Sequence, residues 1–134
     1  MSPVRGIGGV FFKSQDPKKL EKWYIEHLGL KPDNEGYIYF KWSGLDTPGY
    51  TLWGPFPENT KYFDPSQSSW MINFVASEIE RTIDDLRGKG VEVDKRGIQE
   101  TPEGKFAWFI DPEGNKVELW EPSETHGQDS STIS

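Results

Sequence analysis

The chain has no cysteine, only two histidines, and no apolar run that approaches the length of a membrane span. Without cysteine there are no disulfides and no thiolate metal ligands, and a reduced, cytoplasmic setting suits such a chain. With no cysteine, and with histidine confined to His27 and His126, Ser-His-Asp and Cys-His arrangements are excluded. Basic residues are the next shortage: 15 Lys and Arg stand against 22 Asp and Glu, for a net charge of −7. That sign is wrong for nucleic acid or an anionic membrane and favours a neutral or cationic small molecule as partner. A glycine-rich phosphate loop is also missing, because GIGG (residues 6–9) opens a strand instead of leading from one into a helix. The opening residues do not have the charge and hydropathy pattern of a signal peptide. What the chain does have is bulk. Aromatics make up 14% of its 134 residues, six of them tryptophan, enough to fill the core of one domain despite a mean hydropathy of −0.73.

The chain states one pattern twice. GIGGVFFKS predicts a strand. Asp16-Pro17 supplies a helix cap and a proline at the first helical position. Leu20, Trp23, Tyr24 and Leu28 then recur at helical spacing up to Gly29, and YIYFKW and GYTLWGP predict two further strands. From Ser69 the order returns. SWMINFVA is a strand, Ser77 and Glu80 have capping-box spacing, Ile79, Ile83 and Leu86 share a helical face, and Gly90 closes the helix. Strands follow at VEVDK, KFAWFI and NKVELWEP, the last two joined by the turn DPEG. Asp16 matches Glu78, Leu28-Gly29-Leu30 matches Lys89-Gly90-Val91, and Tyr50–Pro55 matches Val117–Pro122. The repeat predicts a first βαβββ module at 1–55, a linker at 56–68 (FPENTKYFDPSQS), a second module at 69–122 and a polar tail at 123–134.

With VFFKSQDPKKLEKWYIEHLGL, MINFVASEIERTIDDLRGKGVEV and FIDPEGNKVELWEP in this order, the chain resembles the vicinal oxygen chelate superfamily of glyoxalases, bleomycin-resistance proteins and extradiol dioxygenases. The resemblance spans nearly everything up to about residue 122. It implies an α+β fold of two tandem βαβββ modules, with curled mixed sheets around a cavity, and commonly a homodimer. It also implies metal-ligand positions on the first and last strand of each module, which fall on Gly9, Thr51, Met71 and Glu118. Only Glu118 is a usable ligand for a divalent ion: glycine has no side chain, neutral threonine binds poorly, and a thioether suits soft ions.

Alternation along the strands places Ile7, Gly9, Phe11, Thr51, Trp53, Ser69, Met71, Asn73, Lys116, Glu118 and Trp120 on the cavity side. The other side holds Val10, Phe12, Leu52, Trp70, Ile72, Phe74, Val117 and Leu119, an apolar set for helices to pack on. A slip of one residue would bury Glu118 under a helix, where an unpaired carboxylate is costly. The candidate ligand-binding residues are therefore Phe11, Trp42, Trp53, Asn73, Trp108, Glu118 and Trp120, although the facing of Trp42 and Trp108 is not fixed by pattern. Trp23 and Trp70 are read as core, His27 as a cap in the last turn of its helix, and Glu100, Glu103 and Asp46 as solvated loop. His126 lies in the tail and is expected to have no role.

Two function classes follow. The first is a binding protein that holds a small aromatic or cationic molecule through stacking, cation–π contact and one charged hydrogen bond, with no cofactor. The second, which the resemblance implies, is a lyase or dioxygenase of the glyoxalase kind. It would use a divalent metal, or Glu118 as a general base whose pKa is raised by apolar neighbours. A structural or regulatory protein without a small-molecule ligand has no specific support in the sequence.

Overall fold

The computed structural model describes residues 10, 12, 14–44, 51–53 and 55–123. Its elements are two α-helices and five strands: α1 (Pro17–Leu28), β1 (Ile72–Val75), α2 (Ile79–Gly88), β2 (Glu92–Val93), β3 (Gln99–Thr101), β4 (Gly104–Ile110) and β5 (Lys116–Pro122). The fold is α+β. The strands form one open mixed sheet in the order β1-β5-β4-β2, with β3 also paired to β4. β1 runs parallel to β5, and every other pairing is antiparallel. From β1 through α2 to β5 this is the strand–helix–strands order that the second half of the sequence predicts.

α1 begins as expected. The Asp16 carboxylate accepts from the Lys19 amide at 3.2 Å, Pro17 takes the first helical position, and Gly29 ends the helix at φ 71. α2 is capped differently from the expectation. Glu78 sits at φ 50 and makes no side-chain cap, and the Ile79 amide donates instead to the Glu121 carboxylate at 2.8 Å. Glu80 turns away to pair with Lys105 at 2.8 Å. The Ser77–Glu80 capping box therefore does not form, because β5 delivers a carboxylate to the positive end of α2 from 42 residues away.

Two strand expectations also change. VEVDK stops after Val93, where the Asp94 side chain accepts from the Arg96 amide at 2.9 Å and turns the chain out of the ladder. Pairing with β4 resumes at β3, which places Glu100 opposite Lys105 instead of in a loop. In YIYFKW, the Asp33 carboxylate accepts from the amides of Glu35 and Tyr37, both at 2.9 Å. Among the described residues the ladder is reduced to one bridge, Pro32 to Ile38, and Trp42–Gly44 forms a 3-10 turn. The strand expected at GIGGVFFKS falls almost wholly outside the described residues, as do residues 45–50 and the tail 124–134.

Alternation sorts the faces of β1 and β5 as expected, and the register of β4 against β5 fixes the facing of Trp108 that the pattern left open. Ala107, Phe109, Val117 and Leu119 are buried with Ile79, Ile83 and Leu86 of α2 and Leu20 and Tyr24 of α1, and Phe74 packs against them. Asn73, Trp108, Lys116, Glu118 and Trp120 alternate with these residues and belong to the opposite face. The DPEG turn does more than reverse the chain. The Asp111 carboxylate, 5% exposed, takes the Tyr24 hydroxyl at 2.9 Å together with the amides of Glu113 and Asn115. The Glu113 carboxylate in turn accepts from the Ser14 hydroxyl and the Gln15 and Asp16 amides, which pins the start of α1 to the β4–β5 hairpin. Gly104 is required where β4 opens: its φ is 133, and a Cβ there would lie 2.1 Å from the Glu121 carbonyl oxygen.

Candidate functional site

Register brings the site together. On β5, Glu118 lies opposite Trp108 of β4 on one side and Asn73 of β1 on the other. The residue is 8% exposed, and its carboxylate carries three hydrogen bonds. Asn73 Nδ2 donates to Oε1 at 2.6 Å, and Trp108 Nε1 donates to Oε2 at 2.8 Å. The third donor, to Oε2, is the Tyr62 hydroxyl. A buried carboxylate needs such donors, and here all three are neutral.

Tyr62 comes from the segment read as a linker. Phe56 stacks on its ring at 5.5 Å, and Trp108 meets it edge-on at 6.1 Å. The Lys116 ammonium donates to the Tyr62 carbonyl at 2.6 Å and lies 5.2 Å from the Tyr62 ring centroid and 5.7 Å from that of Trp108. The Arg96 guanidinium covers Trp108 at 4.1 Å and is held there by the Asp94 carboxylate at 3.0 Å. Burial, reinforced by the hydrogen bond to Glu118, pushes the Tyr62 phenol well above its ordinary pKa. Burial and then the neighbouring Arg96 lower that of Lys116. A cavity of about 320 Å³ adjoins this group, with Trp108, Lys116, Lys95, Asp94 and Pro65 among its walls.

Asn73, Trp108 and Glu118 thus meet as one cluster. Trp120, 1% exposed, is part of the same face two residues on; its ring stacks on Phe106 at 6.0 Å and its indole N–H donates to the Glu103 carbonyl at 3.0 Å. Trp42 and Trp53 stand 63% and 80% exposed, outside the named strands. Phe11 and Gly9 lie outside the described residues, as do Asp46 and His126. Thr51 is exposed and Met71 half-buried just ahead of β1. Trp23 packs against the core, and Trp70 is half-buried with its ring 5.0 Å from that of Phe12. His27 Nδ1 lies 2.9 Å from the Trp23 carbonyl one turn back, and its ring stacks on Trp23 at 4.2 Å. Sequence reasoning gave no role to Tyr62, Arg96 or Lys116. Lys116 carried a signal, since alternation already placed it on the cavity side.

Around Glu118 the described residues offer a divalent ion a single carboxylate. Among the described residues no three His, Asp or Glu side chains converge. The groups around Glu118 give it hydrogens, which leaves about one of its four lone-pair sites, too little to hold a divalent ion without further ligands.

Solved structures of similar fold include TnmS3, an antibiotic-binding protein from Streptomyces sp. CB03234. It is 24% identical, with a TM-score of 0.57 over 92% of this chain and 100% of that one. A lactoylglutathione lyase from Agrobacterium tumefaciens is 18% identical, with a TM-score of 0.55 over 90% of this chain and 96% of that one. The oxidase ChaP-H2 is 20% identical, with a TM-score of 0.50 over 85% and 91% respectively. A search of curated proteins finds no match. The family model described as Glyoxalase/Bleomycin resistance protein/Dioxygenase superfamily matches residues 6–119. The chain belongs to that superfamily, the vicinal oxygen chelate proteins that its sequence resembles.

Proposed function

We propose that this protein binds a small aromatic molecule against the Trp108–Glu118 face of its sheet, without a metal and without chemistry. The carrying observation is the state of Glu118, whose oxygens are taken up by Tyr62, Asn73 and Trp108. A carboxylate so engaged builds a rigid wall of rings; three of its roughly four lone-pair sites already serve that wall, which leaves little of it for a metal or for a proton in transfer. Of the two ligand chemistries the sequence suggests, aromatic and cationic, this geometry supports the aromatic one, because Glu118 is buried behind its three donors and does not line the cavity beside Trp108. The antibiotic-binding protein among the similar folds supports a sequestering role. No described helix is long and apolar enough to cross a membrane, and the cysteine-free chain suits a cytoplasmic setting. The resemblance, together with the large apolar side chains left exposed between Tyr37 and Phe56, supports a homodimer. A fluorescence-quenching screen of flat aromatic compounds tests the binding reading. Saturable quenching that weakens in Trp108→Phe is expected; a panel with no saturable binder would sink the proposal.

A further inference from the structure

Lys116 stands out among the polar groups. Its side chain is buried, with the residue 4% exposed, yet among the described residues its three N–H donors have a single hydrogen-bond acceptor, the Tyr62 carbonyl. No carboxylate lies within ion-pair distance of it among the described residues. Glu118, two residues along the same strand face, is occupied by its own three donors, and the Asp94 carboxylate is engaged by Arg96 through both oxygens. The rest of the ammonium's surroundings are the faces of Tyr62 and Trp108. Ring faces do part of the work of a counter-ion, but they leave the remaining N–H groups without acceptors. Lys116 also lines the cavity of about 320 Å³ beside Trp108, where Lys95 adds a second positive charge.

We propose that Lys116 is the anchor of this cavity, and that the ligand is an aromatic molecule bearing an acidic oxygen, a carboxylate or an ionised phenol, which accepts from Lys116 Nζ while its ring lies against Trp108. The inference rests on the binding function proposed above and specifies its ligand class. Burial and the adjacent Arg96 already disfavour the ammonium, so an anion at this point relieves a cost that the free protein carries. Asp94 is neutralised by Arg96, and Glu92, the other acid on the cavity wall, is exposed to solvent. Two carboxylates outside the cavity lining, Glu118 with its neutral donors and Asp64, also act on Lys116 and oppose an anion there. The chain's net negative charge acts over longer range and is screened by salt.

The test compares 2-naphthoate and anthracene-9-carboxylate with their primary amides and with the matched methylammonium compounds, by calorimetry and tryptophan quenching. The acids are expected to bind at least about tenfold more tightly than the amides, and the ammonium compounds more weakly than either. In Lys116→Met the preference for acid is lost while the amides bind as before; Lys116→Arg retains a preference. Amides that bind as tightly as the acids, or an acid preference that survives in Lys116→Met, would overturn the anchor and leave aromatic binding standing. If none of the probes binds, the broader binding function fails and the anchor fails with it. Should Lys116→Met not fold, the comparison of acid and amide on the unaltered protein still decides.

Discussion

At Glu118 a single side chain organises three others, which makes the cost of altering it predictable. Glu118→Ala leaves the Tyr62 hydroxyl and the Trp108 and Asn73 N–H groups without their acceptor, at a cost of about 3 kcal/mol of folding stability. Glu118→Gln costs less, about 1 kcal/mol, because its amide oxygen can serve Tyr62 and Trp108 while the Asn73 amide rotates to present its own oxygen. Chemical denaturation of the pair measures the difference, and equal losses would mean that the network is not what holds the wall. A second expectation concerns alkali. The Tyr62 and Tyr24 phenols are both raised, first by burial and then by the carboxylates beside them. The folded state therefore holds the neutral phenol while the unfolded chain ionises near its ordinary value of about 10. Their contribution is complete below about pH 10 and is lost as the pH rises further. Lys116, shifted downward, gives the opposite slope, but only up to about pH 10.5, where the unfolded lysine also loses its proton. Unfolding midpoints should fall above that point, and Tyr62→Phe and Tyr24→Phe should each flatten the fall. Unchanged slopes in both variants would contradict the assignment.

Among the elements, those whose causes are local were legible in the sequence. Asp16-Pro17 and Gly29 bound α1 because cap and stop act within a turn, and alternation sorted the faces of β1 and β5 because one face must meet helices, while the facing of β4 came only with its register against β5. What failed was decided by distant groups. The Ser77–Glu80 spacing is a sound local signal, but the α2 amide is claimed by Glu121 from β5. Tyr62 lies in a stretch that looks like a spacer, and nothing within FPENTKYFDPSQS indicates that its hydroxyl meets a carboxylate 56 residues on. The outer strand breaks at Asp94 because one aspartate captures a nearby amide, a competition that composition does not resolve. The cap can be tested directly. Glu121→Ala is expected to cost about 1 kcal/mol and to raise amide exchange at Ile79, whereas Ser77→Ala and Glu80→Ala leave that amide unchanged. Loss of protection in Ser77→Ala would restore the capping box.

For the whole molecule, the distribution of apolar surface is uneven in a way that bears on assembly. The buried core lies largely around the second half of the chain, with α1 added to it. The large exposed hydrophobics concentrate between Tyr37 and Phe56, with Trp53 at 80%, Leu52 at 71% and Tyr39 at 68%. A monomer in water pays for such a surface, and a second copy of the chain is the occupant that the superfamily resemblance implies. Sedimentation equilibrium is expected to show a dimer that Leu52→Ser with Trp53→Ser shifts toward monomer at low micromolar concentration. A monomer throughout would remove the dimer and leave that surface to another partner. The double variant also separates assembly from the site. The Tyr62–Glu118–Trp108 cluster is complete within one chain, so a dissociated variant should keep saturable quenching at Trp108. If binding disappears together with the dimer, either Trp53 contacts the ligand itself, as cavity-side alternation suggests, or the site is formed only in the assembled pair. Leu52→Ser with Trp53 kept, taken to the same dissociation, distinguishes the two, because it retains binding only in the first case.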